Sequence, residues 1–269
     1  MALQYHIQMD VGDVAPYVLL PEDPARVKVV ASFWDEAHEV AVNREYTTYT
    51  GKYKGMPISC MSTGMGCPST AIGIEELARI GVKTFLRIGT CGTFQDNVKV
   101  GDMCIFDSAC RYDGCSKMYA PVEFPAVADH DVVSACIDAA KDMGIPYHVG
   151  TTRTQDTFYA NSPEPGGSFN NFWQSRWAEF YKDLKRLNVL GGEMETSIIL
   201  VLTRIWGLRG GAMAVCLDNI LHSMSTEDSG QEYDPQSQLS HSRNDIETLS
   251  KMGSEALYKL YLMDQKAEA

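Results

Sequence analysis

The sequence has no uninterrupted apolar run of the roughly 18 residues that a membrane-spanning helix needs. It is also short of positive charge, since 23 lysines and arginines face 35 aspartates and glutamates, for a net charge of -12. This balance argues against nucleic acid as a partner, because a phosphate backbone requires a basic face. A few arginines can still bind a small anion. Residues 1–6 (MALQYH) have no basic segment leading into an apolar one, so we expect no signal peptide and a cytoplasmic protein.

The eight cysteines lack the C-x-x-C spacing that is typical of zinc sites and redox motifs. Several of them lie in apolar runs that are typical of buried strands. The chain is also much longer than the small secreted domains that depend on disulfides. We therefore expect reduced and mostly buried thiols.

Strands and helices alternate along the chain. Apolar residues make up 45% of it, and the length of 269 residues is compatible with one domain spanning 1–269. A strand at 58–62 is followed by a glycine-rich loop, a helix at 69–80 and a strand at 84–88. This order predicts a βαβ unit, and hence a single-domain α/β fold with a mostly parallel mixed sheet and flanking helices.

The remaining elements follow from the same patterns. Further strands are predicted at 17–20, 103–109, 148–154 and 212–217, a hairpin at 39–54, and further helices at 25–34, 131–143, 196–205 and 243–263. A polar loop is predicted at 228–242. The Asn/Ser/Pro/Gly-rich segment 160–172 is predicted to be a lid-like loop.

Residues 86–92 (LRIGTCG) suggest an anion site. An apolar strand leads into Arg87, Thr90 and two glycines, which offer a guanidinium, a hydroxyl and bare backbone N–H groups. Ligands of parallel sheets bind at the carboxyl ends of strands, and Arg26 follows another strand end. A lone arginine is more often a surface charge, but two of them at one edge favour an anion site.

Residues 193–195 (EME) precede an apolar helix. Their carboxylates either accept hydrogen bonds from sugar hydroxyls or form an acidic pair that the helix dipole stabilises. Two other positions also have two possible roles each. Phe158 is a stacking platform for a base or a core edge, and Asp218 is a turn residue or a proton donor. An anion site beside a polyol site suggests a sugar that meets phosphate.

Several blocks occur in order between about residue 4 and residue 217. They are PEDPAR (21–26), NREYTT (43–48), STGMGCPST (62–70), FLRIGTCG (85–92), APVEFPAVAD (120–129), DTFY (156–159) and EME (193–195). With these blocks the chain resembles the hexamer-type nucleoside phosphorylase family, and the block at 120–129 resembles its uridine phosphorylase branch. The resemblance implies phosphorolysis of a nucleoside to free base and ribose 1-phosphate, with phosphate as co-substrate and no required cofactor.

The resemblance also implies residue roles. Phosphate would be held by Glu22 through its amide and by Arg26, Arg87, Thr90 and a neighbouring subunit's Arg44. Ribose would be held by Thr90, Met194, Glu195 and, across the same interface, His6. The base would be flanked by Gly92, Phe158, Asn161 and Ser162. Arg87, Glu195 and Asp218 would be catalytic, and Glu45 and Ser69 would hold a monovalent cation at the interface of a homodimer, with the choice between dimer and hexamer left open.

Three positions depart from the family pattern. Glu22 stands where the family has glycine, so its side chain is expected to point away from the phosphate. Residues 160–165 (ANSPEP) contain neither the glutamine nor the arginine with which the uridine branch reads uracil. Asp218 falls where the purine branch protonates its base. Uridine is favoured by overall similarity; the alternatives are a purine or broad-specificity phosphorylase, and a hydrolase-like or nucleoside-binding relative.

Overall fold

The computed structural model describes residues 3–160, 168–221 and 235–268. The strands are β1 Tyr17–Leu20, β2 Glu36–Asn43, β3 Tyr46–Tyr53, β4 Met56–Met61, β5 Thr84–Thr93, β6 Met103–Tyr112, β7 Ala126–Val127, β8 Tyr147–Gln155, β9 Gly191–Glu193 and β10 Arg209–Asn219. The helices are α1 Pro24–Ala31, α2 Cys67–Arg79, α3 Cys115–Tyr119, α4 His130–Met143, α5 Arg176–Arg186, α6 Thr196–Ile205 and α7 Pro235–Glu268. Among the helices of these ranges, none is long and apolar enough to cross a membrane.

The centre of the sheet is parallel. Strands β4, β1, β5 and β10 lie side by side with parallel pairing, and β3 and β2 extend one edge in antiparallel fashion. On the other side, pairings among β5, β10, β6, β8 and β9 close a ring of strands. The predicted α/β class with a mixed sheet is confirmed. The predicted βαβ unit is present as β4, α2 and β5, with β1 inserted between its two strands.

Helices cover both faces of the sheet. On one face α1, α4 and α7 bury Val30, Ala139 and Leu257 against Ile88 and Met213 of the central strands. On the opposite face, α2 and α6 pack against β1 and β5 through a second apolar cluster. The sheet is therefore buried centrally, and polar residues on its inner strands need partners from the protein or from a ligand.

Local sequence signals set the helix ends near the site. Asp23 caps α1 by accepting the N–H of Ala25, and Pro24 occupies the first helical turn. Asp129 caps α4, which ends at Gly144 with a left-handed φ of 65°. These signals hold α1 directly after β1, so that Arg26 lies near the end of that strand.

Several sequence predictions of extent were wrong. Strand β5 continues to Thr93 rather than ending at residue 88, because β10 pairs with it along its whole length. The closing helix begins at Pro235, so a loop at 235–242 is wrong; proline is well tolerated in a first helical turn. Helix α5 and the three-residue strand β9 were not predicted. Residues 228–234 of the predicted polar loop and 161–167 of the lid-like loop lie outside the described residues.

Candidate active site

The candidate site lies where β1 ends and β5 continues. Along that side of β5, pairing with β1 stops at Arg87 and pairing with β9 begins at Gly92. Between the two ladders, residues 88–91 of β5 have no neighbouring strand on this side in the described part of the chain, and Thr90 lies in that gap. The loop after β1 carries Glu22 to the same place, and the first turn of α1 carries Arg26 there. The sheet itself thus leaves an opening at the predicted anion site.

Arg87 is the centre of a buried charge cluster. It is 2% exposed, and its guanidinium contacts three carboxylates: Glu22 at 3.2 Å, Glu193 at 3.1 Å and Glu195 at 2.6 Å. Burial alone would lower the pKa of Arg87, but the charges of Glu195, Glu22 and Glu193 outweigh it and raise that pKa. The guanidinium therefore stays charged and is held in one orientation.

Glu22 does not point away from this cluster, so that expectation was wrong. Its carboxylate bridges the two predicted phosphate arginines: Oε1 pairs with Nη1 of Arg26, and Oε2 lies 3.2 Å from Nη1 of Arg87. The physical reason is attraction, because both guanidinium groups lie within reach of the Glu22 carboxylate. The Glu22 side chain occupies the place that the resemblance gives to phosphate.

The two carboxylates of the EME segment have different surroundings. Glu193 accepts hydrogen bonds from Arg87 Nε, from Thr154 Oγ1 at 2.5 Å and from the N–H groups of Glu195 and Thr196, both at 2.8 Å. It thereby fixes Arg87 and the start of α6. Its oxygens are taken by the protein, so the structural interpretation applies to Glu193, whereas a sugar-binding role remains open only for Glu195.

Glu195 is buried at 2% exposure and accepts the N–H of Gly66 at 2.6 Å in addition to its pair with Arg87. Burial raises the pKa of its carboxyl to about 7; Arg87 opposes this rise, and the charges of Glu193 and Glu22 add to it. Glu195 is thus a carboxyl that changes protonation near neutral pH. Perturbed groups of this kind are common at functional sites.

Asp218 lies inside β10 rather than in a turn at its end. A bulge between Cys216 and Asp218 shifts the register, so that Asp218 pairs with Gly92. A Cβ on Gly92 would lie 2.6 Å from Asp218 Oδ1 and 2.7 Å from Ile220 Cγ1, so only glycine fits beneath this carboxylate. The structure therefore brings together Asp218 and Gly92, which the sequence placed near the base.

The other predicted sugar and base residues lie around the same edge. Met194 follows β9, and its carbonyl oxygen accepts a bond from Cys67 Sγ. Phe158 follows β8 with its ring 65% exposed and 5.1 Å from that of Tyr159. Asn161 and Ser162 lie outside the described residues.

His6 and Arg44 lie on the surface that was predicted to reach a neighbouring subunit. His6 Nδ1 bonds to Glu76 Oε1 at 2.7 Å, and Glu76 also accepts the N–H groups of His6 and Ile7. Burial raises the pKa of Glu76, but these bonds outweigh it and lower that pKa. Arg44 is exposed in the turn between β2 and β3 with a φ of 54°. Glu76, which fixes the His6 ring from helix α2, had no signal in the sequence.

Two clusters were considered as cation sites. Glu45 and Ser69 meet at Gly64, where an added Cβ would lie 2.8 Å from Glu45 Cγ and 3.0 Å from Ser69 Oγ, so a carboxylate and a hydroxyl are close together. Ligand atoms of Cys67, Asp113 and Asp156 lie within 4.8 Å of one another. In that second cluster the groups already have protein partners: Cys67 Sγ donates to the carbonyl oxygen of Met194, and Asp113 accepts hydrogen bonds from Ser116 and Ser197.

Known proteins match most of the chain. A family model described as the phosphorylase superfamily matches residues 16–254. A uridine phosphorylase of Thermococcus kodakarensis is 48% identical over 81% of this chain and 78% of its own length. A guanosine phosphorylase of Halorubrum lacusprofundi is 39% identical over 82% of this chain and 86% of its own. The crystal structure of uridine phosphorylase from Vibrio fischeri has a TM-score of 0.81 and 27% identity, covering 96% of this chain and 98% of that one.

Proposed function

The chain belongs to the phosphorylase superfamily, and from this premise we propose that it is a nucleoside phosphorylase, a pentosyltransferase that cleaves uridine with phosphate. The observation that carries the proposal is the juxtaposition of Arg26 and Arg87 with the buried carboxyl of Glu195. A pair of guanidinium groups suits the phosphate, and a carboxylate next to it suits the sugar hydroxyls. Uridine is preferred because relatives named as uridine phosphorylases share up to 48% identity.

The reaction transfers the sugar from the base to phosphate. A phosphate oxygen forms a bond to C1′ as the C1′–N bond breaks, and the electron pair leaves with the base. Arg87 and Arg26 hold the phosphate beside C1′, where its negative charge stabilises the cationic sugar. Thr90 and the backbone of residues 88–91 complete the phosphate site, with Arg44 added from a neighbour. Glu195 holds the ribose hydroxyls together with Met194 and a neighbour's His6.

The leaving base needs a proton or a stabilised negative charge. Asp218 lies over Gly92, and in this proposal it donates a proton to a purine ring. Uracil can instead depart as an anion and take its proton from solvent. The relative named as a guanosine phosphorylase makes a purine or broad-specificity enzyme the first alternative within this class.

A second function, hydrolysis, is supported by Glu22. This carboxylate occupies the anion site between Arg26 and Arg87. A carboxylate in that place can accept a proton from an attacking water, which would release ribose instead of ribose 1-phosphate. Phosphorolysis is preferred because both arginines are retained around the glutamate.

One assay separates these functions. The protein is incubated with uridine, inosine or adenosine, each with and without phosphate, and released base and ribose 1-phosphate are quantified. Phosphorolysis predicts that base release requires phosphate and equals ribose 1-phosphate formed. Base release that is independent of phosphate would establish hydrolysis, and no release from any nucleoside would leave a nucleoside-binding relative.

The remaining features of the proposal concern the whole molecule. The minimum unit is a homodimer in this proposal, because the His6 ring bonds to Glu76 and Arg44 is exposed in the β2–β3 turn, so that a neighbour's site is open to them. Glu45 and Ser69 offer the oxygen ligands that a hard cation at such an interface prefers. One continuous sheet supports a single domain spanning 1–269. A role in nucleoside salvage and a cytoplasmic location fit reduced, mostly buried cysteines.

A further inference from the structure

Arg153, on strand β8, is a buried cation with unused hydrogen-bonding groups. Its exposure is 1%. Within the described part of the chain, its Nε and Nη1 atoms are buried without a hydrogen-bond partner. Arginine is a donor only and remains charged in proteins, so these N–H groups require an acceptor. A buried donor without one is costly, which makes Arg153 unusual among the arginines that the structure describes.

The surroundings of Arg153 hold it in place and satisfy only part of its guanidinium. Its guanidinium carbon lies 5.4 Å from the ring centre of Phe94 and 5.1 Å from that of Tyr181. Burial lowers the pKa of Arg153, and the nearby Tyr181 and Glu193 only partly oppose that effect. The two rings and a side-chain hydrogen bond with Tyr181 therefore orient the guanidinium, while Nε and Nη1 are left without an acceptor in the described residues.

Gly192 provides the space for this guanidinium. A Cβ on Gly192 would lie 3.1 Å from Arg153 Nη2 and 3.4 Å from Phe94 Cζ. Gly192 pairs with Gly92 and immediately precedes Glu193, the carboxylate that fixes Arg87. Arg153 thus lies next to the strand that carries the sugar-binding segment.

Arg153 also lines a cavity of about 300 Å³. Other walls are aromatic, including Tyr112, Phe172 and Trp177, and the same cavity reaches Asp156 and Thr157, which directly precede Phe158. This volume is at the small end of the range of ligand pockets, and aromatic walls suit a planar ring. The cavity therefore has the size and chemistry of a site for a heterocyclic base.

We propose that Arg153 is a specificity-determining residue that donates hydrogen bonds to a carbonyl oxygen of the nucleoside base. This inference rests on the proposed function of the site. A donor-only group pairs with the 4-oxo group of uracil or the 6-oxo group of hypoxanthine, the two positions meant here. It cannot pair with the amino group that stands at the same position in cytosine or adenine. Sites built to hydrogen-bond one substrate group discriminate strongly against analogues that lack it.

Matched nucleoside pairs test the proposal. Uridine and cytidine differ at one oxo or amino group, as do inosine and adenosine. Values of kcat/KM at saturating phosphate are measured for the wild type, Arg153→Met and Arg153→Lys. We expect Arg153→Met to lower the preference for the oxo member of each pair about tenfold or more, the effect of losing a hydrogen bond from a charged group. The KM for phosphate should not change.

Arg111→Met is the control. Arg111 is also a buried arginine, on the neighbouring strand β6, but it donates to Ser116, Pro121, Phe124 and Ala120. Its loss should lower the melting temperature and leave the oxo-to-amino ratios unchanged. Should Arg153→Met fail to fold, Gly192→Ala displaces the guanidinium without removing its charge and should lower the same ratios.

Direct binding separates this proposal from the proposed reaction. Calorimetry with uracil against cytosine, and hypoxanthine against adenine, needs no turnover. Tighter binding of the oxo bases that is lost in Arg153→Met would support the inference even if no nucleoside were cleaved. Ratios that stay the same in both Arg153→Met and Gly192→Ala, or equal losses for oxo and amino compounds, would overturn it.

Discussion

The side chain of Glu22 competes with phosphate for Arg26 and Arg87, so removing it should strengthen phosphate binding. Two guanidinium groups in this cluster face the three carboxylates of Glu22, Glu193 and Glu195. A phosphate dianion has to enter a site whose formal charge is already negative. In Glu22→Ala the arginines remain, their formal charge is balanced by the other two carboxylates, and their outer N–H groups are released.

The size of the effect follows from the two ion pairs. The pair with Arg87 is largely desolvated, with side-chain exposures of 3% and 12%, and a charged hydrogen bond there is worth about 1.5–3 kcal/mol. The pair with Arg26 is more exposed, at 22% and 12%, and adds about 0–1 kcal/mol after screening. Displacing Glu22 thus costs about 1.5–4 kcal/mol, which corresponds to roughly a 10- to 700-fold lower KM for phosphate in Glu22→Ala.

Initial rates at saturating nucleoside and varied phosphate measure this change. Glu22→Gln keeps the shape of the side chain and removes its charge, so its KM for phosphate should lie between those of the wild type and Glu22→Ala. Glu36→Ala removes an exposed pair with Lys52 at 2.8 Å and should have no effect. An unchanged or higher KM for phosphate in both Glu22 variants would refute the competition. Loss of a phosphate-independent activity in those variants would instead support Glu22 as the base of a hydrolase.

Three further outcomes are expected. Burial raises the pKa of Glu195 to about 7, and its ionised form is the hydroxyl acceptor. We therefore expect kcat/KM for the nucleoside to fall as the pH drops below about 7. Glu22→Gln removes a negative neighbour and lowers the pKa of Glu195, so the midpoint of the pH profile should move to lower pH. Asp218→Asn should reduce purine cleavage about 10²-fold and spare uridine if Asp218 donates a proton, whereas equal activity on every nucleoside would mark it as structural. Mixing the inactive variants Arg44→Ala and Glu195→Ala under subunit exchange should restore activity, and no recovery after confirmed exchange would contradict a shared site.

Local sequence patterns were sufficient to predict the βαβ order, the anion site around Arg87 and the pair of carboxylates at residues 193–195. Apolar runs, the glycine-rich loop at 63–69 and the proline after β1 are short-range signals, and they indicated β1, α1, β4, α2 and β5 correctly. Strand β9 has no such signal, because its three residues GGE carry no apolar pattern and it forms only by pairing with Gly92 and with β8. Its position nevertheless sets the opening in β5 at residues 88–91.

The sequence by itself determined which charged residues gather around the end of β1 and the middle of β5, because strand order and loop length bring them together. Only the tertiary structure decided what these residues do there. In the structure Glu193 binds Arg87 and the start of α6, and the pKa of Glu195 is raised. Glu22 points toward Arg87, and two nitrogens of the buried Arg153 have no partner in the described residues. The reason is physical: proximity follows from the chain, whereas the orientation and ionisation of a charged side chain depend on burial and on every other charge around it.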